Sequence, residues 1–174
     1  ASDRVTELAS LRLVMSGSAP LPISVWNRIA KRSGVHILER YGMTETVVLT
    51  SNPVEGIRKA GTVGQPIPGV DLRLGEGDAV EVRGANVFGG YLDRPHATEA
   101  AFTADGWFRT GDVGSIDDDG YLSLVGRTSE LIISGGFNVY PRELEDVLRE
   151  HPLVIDIAVV GTPDEEWGEI VTGY

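Results

Sequence analysis

VHILERYGMTET spans residues 35–46. Its first four residues, Val35-His36-Ile37-Leu38, read as a buried strand. The strand runs into Arg40-Tyr41-Gly42-Met43-Thr44-Glu45-Thr46, where a ring, a glycine, a hydroxyl and a carboxylate crowd a strand end. Upstream, residues 11–17 read as another short buried strand, closing in the small-residue loop Ser16-Gly17-Ser18-Ala19-Pro20. Between the two, residues 22–33 place Ile23, Trp26, Ile29 and Ala30 at helical spacing, with Pro22 at the start and Gly34 just past the end. Strand, helix, strand predicts a parallel α/β unit, and such units bind ligands beyond the carboxyl ends of their strands. Loops 16–20 and 41–45 both lie there. The 40–46 stretch alone leaves two readings open, a capped structural turn or a nucleotide site.

Composition narrows the classes. The 174 residues suit one ordinary domain or two small ones, and suffice for a core without disulfide or metal. There is no cysteine, which removes disulfides, thiolate zinc and a thiol nucleophile and predicts a cytoplasmic protein. The net charge of −11 disfavours nonspecific binding to nucleic acid or anionic lipid, yet a few local groups can still hold an anionic small molecule. No apolar run is long enough to span a bilayer, and no stretch reads as a signal peptide. His36, His96 and His151 are far apart and fit neither metal nor triad spacing. Glycine, at 22 residues, stands at about twice its average usage. It sits at turns between strands and predicts many tight backbone positions.

From residue 56 to 126 the pattern becomes alternating. Val70-Asp71-Leu72-Arg73-Leu74, a Gly75-Glu76-Gly77-Asp78 turn and Ala79-Val80-Glu81-Val82-Arg83 form a hairpin signature. Residues 113–116 and 121–125 predict a second, turned at Asp117-Asp118-Asp119-Gly120. That acidic turn lacks the spaced ligands and terminal glutamate of a calcium loop and reads as solvated. The region predicts a compact antiparallel β-subdomain of barrel-like form. Beyond Gly126-Arg127 a strand over 130–134 ends at Gly135-Gly136, and Pro141 opens a helix over 142–150 with Leu144, Val147 and Leu148 on one face. Strands are predicted over 154–160 and 169–172, the start of a small α+β domain.

Six stretches now stand in one order. They are Ser16-Gly17-Ser18-Ala19-Pro20; Tyr41-Gly42-Met43-Thr44-Glu45; Val82-Arg83-Gly84 with Gly89-Gly90-Tyr91; Gly106-Trp107-Phe108-Arg109-Thr110-Gly111-Asp112; Gly126-Arg127; and residues 132–141 before Glu143 and Glu145. The set resembles the acyl-adenylate-forming family: acyl-CoA synthetases, aryl-CoA ligases, luciferases and nonribosomal adenylation domains. The Phe137-Asn138-Val139-Tyr140-Pro141 stretch looks most like the fatty- and medium-chain ligase branch.

The resemblance implies an internal fragment of a longer enzyme. Residues 1–126 would be the C-terminal portion of the large AMP-binding domain (1–55 the α/β unit, 56–126 the β-subdomain). Residues 127–129 would be the hinge and 130–174 the start of the mobile small domain. The family's lysine-ended phosphate loop and its second, C-terminal lysine have no match here, which implies that the chain alone is inactive.

The family reaction joins a carboxylic acid to ATP as acyl-AMP, then passes the acyl group to the thiol of CoA. By resemblance Glu45 contacts magnesium, Thr44 donates to the α-phosphate, Tyr41 stacks on adenine and Gly42 permits close backbone approach. Asp112 accepts the ribose hydroxyls and Arg127 reaches ribose and phosphate. Gly17, Ser18 and Ala19 border adenine and acyl group. Ser129 takes the hinge position, where many relatives carry lysine or aspartate, and Gly135 and Gly136 border the CoA tunnel. Two alternatives stay open: an adenylation domain that loads a carrier-protein thiol, and a noncatalytic nucleotide-binding fragment.

Overall fold

The computed structural model describes residues 4–174. After a 3-10 segment at Arg4–Ser10, a small sheet is built from β1 (Met15–Ser16), β2 (Leu38–Tyr41), β3 (Thr50–Ser51) and β4 (Gln65–Pro66), in that order. β1 and β2 are parallel, Met15 opposite Leu38, and α1 (Ile23–Ser33) crosses between them, as the sequence predicts. Gly34 ends α1 in a left-handed conformation (φ 72°) and donates its N–H to the Ala30 carbonyl at 2.9 Å. Trp26 anchors the helix, buried, with its indole N–H on the Ile37 carbonyl at 3.0 Å.

Both predicted strands are shorter or later than expected. Residues 11–14 precede β1, and β2 begins at Leu38 instead of residue 35. The carbonyls of His36 and Ile37 are taken by side chains, the Arg58 guanidinium at 2.6 Å and Trp26, rather than by a sheet ladder.

A second sheet follows the order β5 (Val70–Leu74), β6 (Ala79–Gly84), β7 (Phe108–Ile116), β8 (Leu122–Arg127), all antiparallel. It is open, not a barrel: β5 and β8 are its edges, and β8 instead meets residues 63–64 through the Val63 N–H on Leu122 (2.8 Å) and the Leu122 N–H on Gly64 (2.9 Å). The short helix α2 (Pro95–Ala101) lies between β6 and β7. The core sits on this sheet. Leu49, Val80, Val82 and Leu122 are wholly buried beside Val70 and Phe108, and Tyr41 and Met43 pack against them. Leu49 therefore ties the end of β2 to the second sheet. The acidic turn is closed by Lys59, whose ammonium bridges Asp117 and Asp119 at 2.6 Å each.

The third sheet, ordered β10 (Phe137–Val139), β9 (Ile132–Ser134), β12 (Gly168–Gly173), β11 (Val159–Asp164), carries α3 (Pro141–Leu148). β10 is a strand the sequence reading missed. Gly135 and Gly136, both with positive φ (56° and 84°), form the two-residue hairpin turn that joins it to β9. β11 starts at Val159, later than the predicted 154, because Asp156 caps the Ile157 N–H (2.9 Å) and pairs with Arg149 (3.3 Å). The unit docks on β8: Arg142 of α3 donates to the Leu124 carbonyl at 3.1 Å, and a Cβ on Gly126 would stand 3.1 Å from the Tyr140 ring. Among the described residues no helix is long and apolar enough to cross a membrane.

Candidate active site

Two adjoining cavities open where the carboxyl ends of β1 and β2 meet the β7–β8 hairpin. The first, about 480 Å³, is lined by Ser18, Ala19, Tyr41, Asp112 and Arg127, with Glu39 and Arg142 on its walls. The second, about 610 Å³, is lined by Thr44, Glu45, Tyr91, Arg109 and Thr110. Ser18, Gly42, Met43 and Arg127 belong to both. All the expected nucleotide residues but Gly17 are thus brought together, divided between the first chamber and a more polar one beside it.

Asp112 organises the first chamber. β7 and β8 place Asp112 directly opposite Arg127. The Arg127 guanidinium donates to Asp112 Oδ1 at 3.0 Å, and the Tyr41 hydroxyl, 71 residues away in sequence, donates to Oδ2. Burial drives the Tyr41 phenol far above its ordinary pKa, and the Asp112 charge and hydrogen bond push the same way, so this hydroxyl stays a donor. Both carboxylate oxygens already hold a protein donor, but each retains a second lone pair for a ligand. The carboxylate is nine-tenths buried, whereas the Arg127 side chain is half exposed and free to meet an anion with its remaining N–H groups.

Two glycines have different reasons from those expected. A Cβ on Gly42 would fall 1.9 Å from the Val47 carbonyl oxygen, so glycine is required there by the 41–48 loop closing on itself, not by a ligand. Gly17 lines neither cavity; a Cβ added there would stand 3.3 Å from Arg40 Cγ. Its neighbour Ser18 takes the exposed place, in a left-handed backbone (φ 68°) rare for a residue with a side chain. Gly135 and Gly136 lie outside both cavities, and the Trp167 ring excludes a Cβ on Gly135 at 2.5 Å. Ser129 sits in the exposed Thr128–Glu130 turn, on a third cavity of about 860 Å³ between Pro20–Pro22 and α3.

The structure adds Glu39. It is buried, yet its Oε1 has no hydrogen-bond partner, and burial raises its carboxyl from 4.5 to about 7. The Gly61 amide and the Arg142 charge offset this only partly. A glutamate beside an arginine in a strand gives no sequence sign of such isolation.

For a metal, no group of three or more His, Cys, Asp or Glu side chains converges among the described residues. Glu45 is a single hard-oxygen donor: Tyr91 holds Oε1 at 3.1 Å, and among the described residues no donor reaches Oε2. That suits magnesium carried on a nucleotide, which needs one or two carboxylates and takes its other ligands from phosphate and water.

The model of the AMP-binding enzyme family matches residues 2–92, and that of the AMP-binding enzyme C-terminal domain matches residues 143–174. The chain belongs to the AMP-binding enzyme family. It is 44% identical over 170 residues to a malonate–CoA ligase of Arabidopsis thaliana, covering 93% of this chain and 28% of that one. It superposes on ATP-bound MatB of Rhodopseudomonas palustris with a TM-score of 0.93 at 44% identity, over 99% of this chain and 37% of that one. Against a malonyl-CoA ligase with methylmalonyl-CoA and AMP bound, the TM-score is 0.68 although identity rises to 48%, over 97% of this chain and 39% of that one. The chain therefore spans about a third of these relatives.

Proposed function

We propose that the chain forms the nucleotide-facing third of an ATP-dependent acid–thiol ligase, which activates a carboxylic acid as acyl-AMP and transfers it to CoA. The observation that carries this reading is the Tyr41–Asp112–Arg127 cluster, set on one cavity wall with the Ser18–Ala19 loop. Tyr41 presents a flat, oriented face to adenine. Asp112 offers two fixed acceptor atoms to the adjacent ribose hydroxyls. Arg127, on the edge shared by the two chambers, and Thr44, in the second, meet the α-phosphate. Glu39 lines the same chamber as Tyr41, and its charge, once ionised, faces the base.

Magnesium, when bound with ATP, neutralises phosphate charge during attack by the carboxylate. Glu45 would hold it. The residues of this chain orient the nucleotide and leave the acid to approach the α-phosphate. We divide the chain at 127–129, with Ser129 as the pivot about which 130–174 turns between half-reactions. Gly135 and Gly136 would meet the CoA thiol only in the second arrangement. The lower likeness to a CoA-product complex than to an ATP-bound relative supports the first arrangement here. The lack of cysteine supports a reducing compartment, the cytoplasm.

The 174 residues carry no lysine-ended phosphate loop, so alone they bind nucleotide without turning over. The test is calorimetric titration of AMP into the chain, followed by pyrophosphate exchange. Binding without exchange is expected; no binding would overturn the reading. In the longer protein, malonate is the first acid to try, since malonate–CoA ligases stand among the relatives, with a fatty acid second on the strength of residues 137–141.

A further inference from the structure

The 41–48 loop is held by a second segment. Asn86 donates to the carbonyls of Thr46 (2.7 Å) and Val48 (2.9 Å), and the Phe88 N–H donates to the Glu45 carbonyl at 2.8 Å. These three bonds fix backbone. The fourth reaches a side chain: the Tyr91 hydroxyl donates to Glu45 Oε1 at 3.1 Å. Tyr91 is itself well placed to do this. Its ring meets Phe88 edge-on, centroids 4.8 Å apart, and Phe88 joins the Phe102–Phe108 cluster. Its own N–H is held by the Thr98 hydroxyl at 2.9 Å. Among the described residues no other donor touches the Glu45 carboxylate.

We infer that Tyr91 is a positioning residue, which fixes the Glu45 carboxylate by one oxygen so that the other faces the polar chamber and meets a nucleotide-borne divalent cation. This rests on the proposed nucleotide function and deepens it. A glutamate has three side-chain torsions; left free, it would lose much of its rotamer entropy on binding an ion. Anchoring one oxygen in advance removes part of that cost. The phenol serves because its hydroxyl is an uncharged donor held at 3.1 Å from Glu45 Oε1. A hydroxyl is also the right donor in kind, since a lysine or arginine there would cancel the charge that attracts the cation.

The test compares the affinity of the chain for ATP with magnesium and for ATP in chelator, by calorimetry, together with Tm. Wild type should bind the magnesium form about fivefold or more tighter. Glu45→Gln should abolish that ratio. Tyr91→Phe keeps the ring against Phe88 and should lower the ratio about two- to threefold without abolishing it, with Tm and metal-free affinity unchanged. Tyr91→Leu removes the ring contact as well and should lower Tm. An unaltered ratio in Tyr91→Phe overturns the inference. So does a joint fall of Tm and metal-free affinity in that variant, which would mark a merely structural tyrosine. Failure of the wild type to bind ATP at all overturns the nucleotide reading, and this inference with it. A wild-type ratio of one removes the magnesium role of Glu45 while leaving the nucleotide site standing.

Discussion

Glu39 and Asp112 are both buried carboxylates on one cavity, and their surroundings assign them different work. Asp112 is fixed by one donor on each oxygen, Tyr41 and Arg127, and keeps a free lone pair on each for a ligand. Asp112→Asn turns one of two acceptor oxygens into a donor that faces either Tyr41 or Arg127, and should weaken AMP binding about 10- to 100-fold in a calorimetric titration, by the usual worth of hydrogen bonds to a charged group. Glu39 stands without such partners. Its carboxyl is protonated in both folded and unfolded chains below 4.5. As pH rises, the unfolded chain releases its proton first, while the folded one keeps it until about 7. Stability from this group is therefore full in acid and falls across that window, by an amount on the order of 3 kcal/mol. Glu39→Gln should remove that fall, so denaturant curves for the two proteins should diverge between pH 4.5 and about 7 and run parallel above it, with the variant the more stable at the upper end. AMP affinity should move oppositely in the wild type. It should strengthen as Glu39 ionises and becomes the better acceptor, and the variant should lack this rise.

At the scale of elements, the 41–48 loop is a self-supporting turn on which chemistry is mounted. Gly42→Ala should misfold that loop, since the added methyl group meets a backbone oxygen that cannot move aside. The check is loss of AMP binding with a fall in Tm. Leu122, wholly buried on β8, supports the strand that carries Arg127, and Leu122→Ala should cost about 2–5 kcal/mol in a urea titration. Helix α1 was legible from Pro22 and Gly34, and the β5–β6 hairpin from alternation, because both signals are local. The true start of β2 was not, because Arg58 and Trp26 reach its preceding carbonyls from elsewhere in the chain. The Gly135-Gly136 turn was visible as letters, but the strand after it, Phe137-Asn138-Val139, is too short and too exposed to show alternation.

At the scale of the whole molecule, the junction of β8 with α3 is held by the Arg142 bond to Leu124, the Tyr140 ring beside Gly126 and the charge of Arg142 near Glu39. The motif residues Tyr41, Asp112 and Arg127 could be picked from the sequence as a set. Their mutual hydrogen bonds, and the division of the site into two chambers, arise from the β7–β8 register and the packing of Leu49, which no local pattern encodes. A site assembled this way has a definite footprint. Titrating AMP into the isotope-labelled chain and following backbone amide resonances tests it most directly. Amides of residues 16–19, 39–45, 110–112 and 126–127 should shift together and saturate at one concentration, while those around Trp167 stay still. Saturable shifts centred elsewhere, or none at all, would contradict the account.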